Sequence, residues 1–330
     1  MMPLKVAIIG ALGHIGYAFK TLLAGQEAVP CGIASGTDGD LPEASLPGIL
    51  AKIKCPLFES WEKMLDEVKP DIAVIGTRYD RNGVVSLECL RRGINCFTEK
   101  TIAHDFAILD ELRKAAELNH VKIFGMHGMR YEPHFYAAHQ AVVSGIIGKP
   151  RLFSGQKSYC FGDIRPEFYK DRQQYGGTIL WVALHAIDLS FWNVGNWEKI
   201  SAVQSTTANH GYGDCESHCS MMIDFGAGTI GNINADFLLP GKFGSHGDDQ
   251  IRIAGENGVI WVRDGKAFAA THTTPAAELP AEDPGDIFTD ICREIKGTGK
   301  CMLSMEDTFQ VSRLALTARM AADSGRTITL

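Results

Sequence analysis

No apolar run in the 330 residues approaches the ~18 that a membrane-spanning helix needs. No membrane partner is therefore expected. Basic residues are in deficit: 32 Lys and Arg stand against 39 Asp and Glu, for a formal charge of -7. A duplex-binding chain ordinarily carries a basic surplus, so nucleic acid is set aside as a partner. The nine cysteines are odd in number and scattered, unlike the even set of a short secreted disulfide framework. The 35 glycines follow no collagen-like period, and there is no internal repeat or low-complexity tract. G-x-S-x-G and H-E-x-x-H are both missing, which removes the local signatures of a hydrolase elbow and of a zinc-protease helix. The apolar N-terminal stretch VAIIGALGHIG is glycine-rich and lacks a clear basic flank. It reads as a strand and tight turn, not as a signal peptide, and the expected compartment is the cytoplasm.

What is present is ordinary for a globular chain, with 45% hydrophobic and 22% charged residues and a length that suggests about two domains. Through about residue 128, strand-like and helix-like segments alternate. LKVAII, VPCGIA, DIAVIG, INCFTEK and VKIFGMH read as strands. IGYAFKTLLAG, Trp61 to Val68, NGVVSLECLRRG and FAILDELRKAAELN read as helices. Such alternation predicts βαβ units, a doubly wound parallel sheet with helices on both faces. Beyond residue 150 longer alternating segments appear, among them RLFSGQKSY, HCSMMIDF and TIGNINADFL, separated by turn signals such as FGAG and GENG. These predict a large, open, mostly antiparallel sheet, interrupted by a helix containing ILWVALHAIDLSFW. The expected fold is α/β: a parallel-sheet domain over residues 1–128 and an α+β domain over 129–330, whose last helix packs back on the first domain.

Gly10-Ala11-Leu12-Gly13-His14-Ile15-Gly16 joins the first strand to the first helix. Glycines there let backbone approach a ligand closely, and the N–H groups of the helix start face negative charge. Within a full βαβ unit this predicts dinucleotide binding. An acidic residue normally follows at the end of the second strand to hold ribose hydroxyls. Here that place reads Ala34-Ser35-Gly36-Thr37. Ser35 and Thr37 offer small hydroxyls for a 2′-phosphate, but no Arg is near and Asp38 and Asp40 repel one. NAD and NADP both stay open.

Glu99-Lys100-Thr101 and His185-Ala186-Ile187-Asp188, taken with the glycine turn, make the chain resemble the Gfo/Idh/MocA oxidoreductase family. Further pieces occur in family order: Met129-Arg130-Tyr131-Glu132-Pro133, Ile147-Gly148-Lys149, and Arg319-Met320-Ala321 through Ser324-Gly325-Arg326. The resemblance covers nearly the whole chain. It implies a Rossmann domain, a second domain on an open sheet, and oxidation or reduction of sugars, cyclitols and related polyols. It also implies cofactor contacts from Gly10, Leu12, Gly13, His14 and Ile15, with Ser35, Thr37, Thr77, Glu99 and Arg130. Departures are visible. The usual Glu-Lys-Pro is Glu-Lys-Thr, and the usual Thr-Pro-Asn is Thr77-Arg78-Tyr79. On the catalytic helix the Asp that family members carry four residues before His is Trp181.

Alcohol oxidation removes a hydride and a proton, and the protein must take the proton. The resemblance gives that role to Lys100 at a strand end, where open α/β sheets present their sites. It gives His185 the role of partner on the substrate oxygen. Trp181, His185 and Asp188 lie at i, i+4 and i+7 on one helix and so share a face. Asp188 has two open readings, orienting His185 or capping a structural network. Trp181 has two as well, stacking on a sugar ring or filling core. Arg165 and Tyr169, in the loop before the helix, are candidate substrate contacts. His210, Cys215, His218 and Cys219 form a loose cluster in which adjacent residues point to opposite faces of a strand, and no metal is expected. The leading expectation is an NAD(P)-dependent dehydrogenase or reductase acting on CH–OH groups. The alternatives are a redox-neutral NAD-dependent enzyme that cleaves or eliminates glycosides, and a noncatalytic dinucleotide sensor or subunit. A half-apolar open sheet needs cover, so a homodimer or homotetramer is expected.

Overall fold

The computed structural model describes residues 2–36, 52–162 and 165–330. The chain divides into two units, residues 1–128 with 285–312, and residues 129–284 with 313–330.

The first unit is built on β1 (Leu4–Gly10), whose residues from Val6 onward are all buried. A parallel strand covered on both faces requires this, which is why VAII, after exposed Lys5, is continuously apolar and not alternating. Parallel partners flank it: β2 (Ala28–Ala34) on one side and β4 (Ile72–Gly76) on the other. With β3 (Leu57–Phe58), β5 (Asn95–Thr98) and β6 (Ile123–Gly125), the parallel sheet has the order β3-β2-β1-β4-β5-β6. The winding reverses between β1 and β4, and ligands of such sheets bind beyond the C-terminal ends of those strands.

The helices that connect these strands start where their caps dictate. The segment expected as one helix after β1 opens with a 3-10 turn, Ile15–Ala18, and continues as α1 (Phe19–Ala24), stopping at left-handed Gly25. Ser60 caps α2 (Trp61–Val68), its hydroxyl accepting from the Lys63 N–H at 3.3 Å. After α3 (Asn82–Arg91), Asp105 caps α4 (Phe106–Leu118), accepting from the Ile108 N–H at 2.8 Å. Each such cap contributes roughly 1 kcal/mol. Residues 285–312 complete this unit although they follow the second sheet in sequence. Asp286 caps the helix Ile287–Ile295 through the Thr289 N–H at 2.9 Å and also accepts from the Thr21 hydroxyl at 2.6 Å. Phe288 meets Phe97 with 5.4 Å between ring centroids, and Lys122 reaches Glu294 at 2.8 Å.

The second unit follows α5 (Pro133–Val143) with a nine-stranded sheet. Its strands are β7 (Pro150–Cys160), β8 (Lys199–Ser205), β9 (His218–Gly226), β10 (Thr229–Leu239), β11 (Gly247–Gly255), β12 (Gly258–Arg263), β13 (Lys266–Thr271), β14 (Ala277–Glu278) and β15 (Ile328–Thr329). The order is β14-β13-β12-β11-β7-β10-β9-β8-β15, antiparallel except for the β7–β10 pair. One face buries Phe153, Ile233, Ala235, Ile251 and Ile253. It receives α7 (Leu184–Val194), which follows the short α6 (Arg172–Tyr175). Gly155 allows that approach, because a Cβ there would stand 3.5 Å from the Ala186 Cβ and 2.9 Å from the Phe153 ring. The other face leaves Leu152, Val203, Met222, Ile230 and Leu238 exposed.

The interrupting helix departs from expectation in one respect. Ile179–Ala183, ahead of α7, forms a π-helical turn. Trp181 falls within that turn, ahead of the α-helical segment that carries His185. Among the described residues no helix is long and apolar enough to cross a membrane.

Candidate active site

The glycine turn of the first unit is shaped by three glycines, only two of them in the expected motif. Gly10 and Gly13 adopt left-handed backbone, with φ of 78° and 69°. A Cβ on Gly13 would collide with the Glu99 carboxylate. Gly16 is not sterically required, since a Cβ there would meet only the Phe19 ring at 3.9 Å. The third glycine that matters is Gly76, at the end of β4. A Cβ on it would run into Ile15 and the Leu12 carbonyl, and its own carbonyl accepts from the Leu12 N–H at 2.8 Å. The DIAVIG strand ending was its only trace in the sequence.

Glu99 follows β5 and is fully buried against this turn. Its carboxylate accepts from the His14 N–H, and the His14 ring Nδ1 lies 2.9 Å from Oε1. Burial pushes the Glu99 carboxyl up. The charge and hydrogen bonds of His14, with the charge of Lys100, outweigh burial and hold it below the ordinary carboxylate range. Glu99 thus takes the His14 N–H, while left-handed Gly10 and Gly13 make the tight strand-to-helix turn at the sheet's switch point, the place where such sheets hold a diphosphate. Thr77, after β4, is buried, and both its N–H and its hydroxyl donate to the Asn82 Oδ1 at 3.0 Å. Asn82, not singled out from sequence as a site residue, thus sets the turn that carries Thr77. Ser35 lies just past β2 and Ile15 is buried, while Thr37 falls outside the described residues.

Lys100 is among the largest fully buried side chains in the protein, and its N–H donates to the Glu99 Oε1 at 3.0 Å. The Lys100–Thr101 peptide is cis. His185, in the second unit, is 2% exposed on the first turn of α7. Ahead of it, Gly176 and Gly177 turn the chain with φ of 86° and 100°. Buried Glu216 fixes the start of the helix: Oε2 accepts from the Thr178 N–H at 3.2 Å, Oε1 faces the Arg172 Nε at 2.7 Å, and the Glu216 carbonyl accepts from the Thr178 hydroxyl. Neither Glu216 nor Arg172 carried a signal in the sequence beyond the glycine pair beside them.

The remaining candidates are drawn into local networks of the second unit. Arg130 and Asp188 form a fork, both 1% exposed, with Nη2 to Oδ1 at 2.6 Å and Nε to Oδ1 at 3.0 Å. Arg130 also lies 5.3 Å from the Trp192 ring, on whose plane His139 stacks at 3.7 Å. The Asp188 carboxylate is thus paired with the Arg130 guanidinium, and both readings of Asp188 stay open. Arg165 donates to the Phe161 and Cys160 carbonyls and lies 5.5 Å from the ring of buried Tyr169, which stacks on Tyr175 at 4.4 Å. Trp181 is 7% exposed. Among the described residues no His, Cys, Asp and Glu side chains gather in a group fit to hold a metal.

A parallel sheet with this order and a left-handed glycine turn at its switch point define a Rossmann fold of the dinucleotide-binding class. A family model described as an oxidoreductase family with an NAD-binding Rossmann fold matches residues 4–127, and one for the GFO/IDH/MocA C-terminal domain matches residues 135–261. The chain belongs to the Gfo/Idh/MocA oxidoreductase family. Among solved structures, a Thermotoga maritima protein described as a candidate oxidoreductase is 37% identical, with a TM-score of 0.94 over 99% of this chain and 100% of its own. A levoglucosan dehydrogenase in complex with NADH and levoglucosan shares the fold at 18% identity and a TM-score of 0.84, over 99% of each chain. An aldose–aldose oxidoreductase from Caulobacter crescentus shares it at 18% identity and a TM-score of 0.83, over 99% of this chain and 100% of its own. No curated protein matches the chain.

Proposed function

We propose that this oxidoreductase transfers a hydride between nicotinamide and a hydroxyl or keto carbon of a sugar, cyclitol or related polyol, with Lys100 as acid/base and His185 assisting. The observation that carries this reading is a fully buried lysine directly after Glu99, at the C-terminal edge of the parallel sheet that holds the dinucleotide turn. A bound nicotinamide supplies the hydride acceptor or donor. The Lys100 amine accepts the hydroxyl proton in oxidation and returns it in reduction. The buried His185 imidazole is a hydrogen-bond partner for the same oxygen. Sugars are the substrates named for two neighbours of the same fold, which supports the substrate class. All nine cysteines are free thiols, which supports a cytoplasmic setting. The exposed apolar residues of the nine-stranded sheet support a homo-oligomer, dimer or tetramer, closed sheet to sheet.

The test is Lys100→Met. Turnover on a polyol panel should fall at least about 10²-fold, the usual contribution of general acid–base catalysis. The NADH dissociation constant, read by nicotinamide fluorescence, should stay within about threefold. Full activity in this variant would remove the mechanism.

A further inference from the structure

Outside the residues already discussed, the described part of the second unit carries a further charged pair held largely away from water. Lys157 on β7 is buried, and its ammonium sits on the Oδ2 of Asp249, the residue directly opposite it on β11. Oδ1 of the same carboxylate is buried and has no hydrogen-bond partner among the described residues.

The pair lies on the helix-receiving face. Side chains alternate along β7, so Phe153, Gly155 and Lys157 share one face, and Gly155 is where Ala186, the neighbour of His185, approaches. Lys157 is two residues further along, about 7 Å at strand rise. Around it the sheet is made of small residues: Gly155 precedes it, Ala235 pairs with it on β10, and Gly247 stands opposite Tyr159. Aromatic rings stand beside this floor. The Lys157 ammonium lies 4.5 Å from the Tyr159 ring centroid, and Tyr159 stacks with Phe237 at 6.4 Å. The Asp249 side chain remains 22% exposed although its Oδ1 is buried, so the pair lies at the margin of the face and not deep within it.

Stability alone does not account for such a pair, because buried ion pairs can often be exchanged for apolar residues without loss. A buried acceptor with nothing on it is uncommon in native proteins and calls for a donor that the described residues do not supply. A few converging polar groups beside aromatic walls are the chemistry of a small-molecule subsite.

We propose that Lys157 and Asp249 read substrate hydroxyls, Asp249 Oδ1 accepting from one hydroxyl and the Lys157 ammonium donating to its neighbour. The assignment rests on the polyol reading above and makes the pair specificity-determining for that reaction.

The experiment compares the full-length wild type, Asp249→Asn, and the double variant Lys157→Met with Asp249→Leu. The probes are myo-inositol, D-glucose, D-xylose and levoglucosan, each with NAD+ and NADP+. Asp249→Asn should raise KM for the best probe about 10–100-fold, the worth of one hydrogen bond to a charged group. The NADH dissociation constant should not move. The double variant removes both charges together, so its melting temperature should return to within a few degrees of wild type while KM stays raised. A KM within twofold of wild type in Asp249→Asn overturns the proposal and leaves the oxidoreductase reading standing, with an ordered water as the partner of Oδ1. A double variant that regains both melting temperature and KM overturns it too, since the pair is then scaffold only. A wild type that binds NADH and turns over no probe refutes the polyol reading itself, and this assignment with it.

Discussion

Replacing Arg130 by Met tests the most deeply buried charge in the second unit. The guanidinium and the Asp188 carboxylate are each 1% exposed and share three contacts between 2.6 and 3.2 Å. Methionine fills much of the same volume but removes the guanidinium that the buried Asp188 carboxylate faces. Breaking such a pair from one side costs about 3–5 kcal/mol. For a unit of this size 1 kcal/mol moves the melting temperature by about 2–4 °C, so a drop of roughly 6–20 °C is expected. Calorimetry and urea unfolding read it directly. Combining Arg130→Met with Asp188→Leu should recover most of the loss, because the desolvation of both charges disappears together. Nicotinamide fluorescence separates this role from the cofactor contact that family resemblance implies for Arg130. A variant that loses less than about 1 kcal/mol, yet binds NADH more than tenfold weaker, would refute the structural account and return Arg130 to the cofactor site.

Two further outcomes follow from the same unit. Burial holds His139 down to about 4 from its ordinary 6.5, and the Arg130 charge adds to this against the opposing Asn193 hydrogen bond. The unfolded chain then binds a proton between pH 6.5 and 4 that the folded chain refuses. Stability should therefore fall as pH drops through that window and level off below 4, by at most about 3 kcal/mol. Urea midpoints of His139→Gln measured across pH 4–7 should be flatter than wild type, and parallel curves would contradict the assignment. The open face of the nine-stranded sheet exposes Met222 at 71% and Val203 at 67%. Light scattering at micromolar concentration should report a dimer or tetramer, and Met222→Asp should shift it toward monomer. A wild-type monomer would contradict the sheet-to-sheet oligomer.

Much of the architecture was legible before any coordinates. Continuous apolar runs mark β1 and β4 because parallel strands are covered on both faces, and period-2 segments such as TIGNINADFL mark strands with one face open. Gly10 and Gly13 announced the turn correctly because left-handed backbone restricts residue choice locally. The side-chain networks were not legible. Arg130 and Asp188 lie 58 residues apart, and Lys157 and Asp249 lie 92 apart. Only the packing of α7 and the β7–β11 register bring these pairs together. Gly76 looked like an ordinary strand ending, and nothing in ILWVALHAIDLSFW distinguished a π-turn from an α-turn.

The amino-acid sequence by itself determined the alternation of strand and helix, the glycine turn for a dinucleotide, and the family. All three are written in local periodicity and short spacing, which neighbouring residues enforce on one another. Tertiary structure decided which charges are buried together, which glycine makes room for the turn, and where residues 285–312 belong. Those outcomes depend on strand register and on side chains that meet only after distant segments have packed.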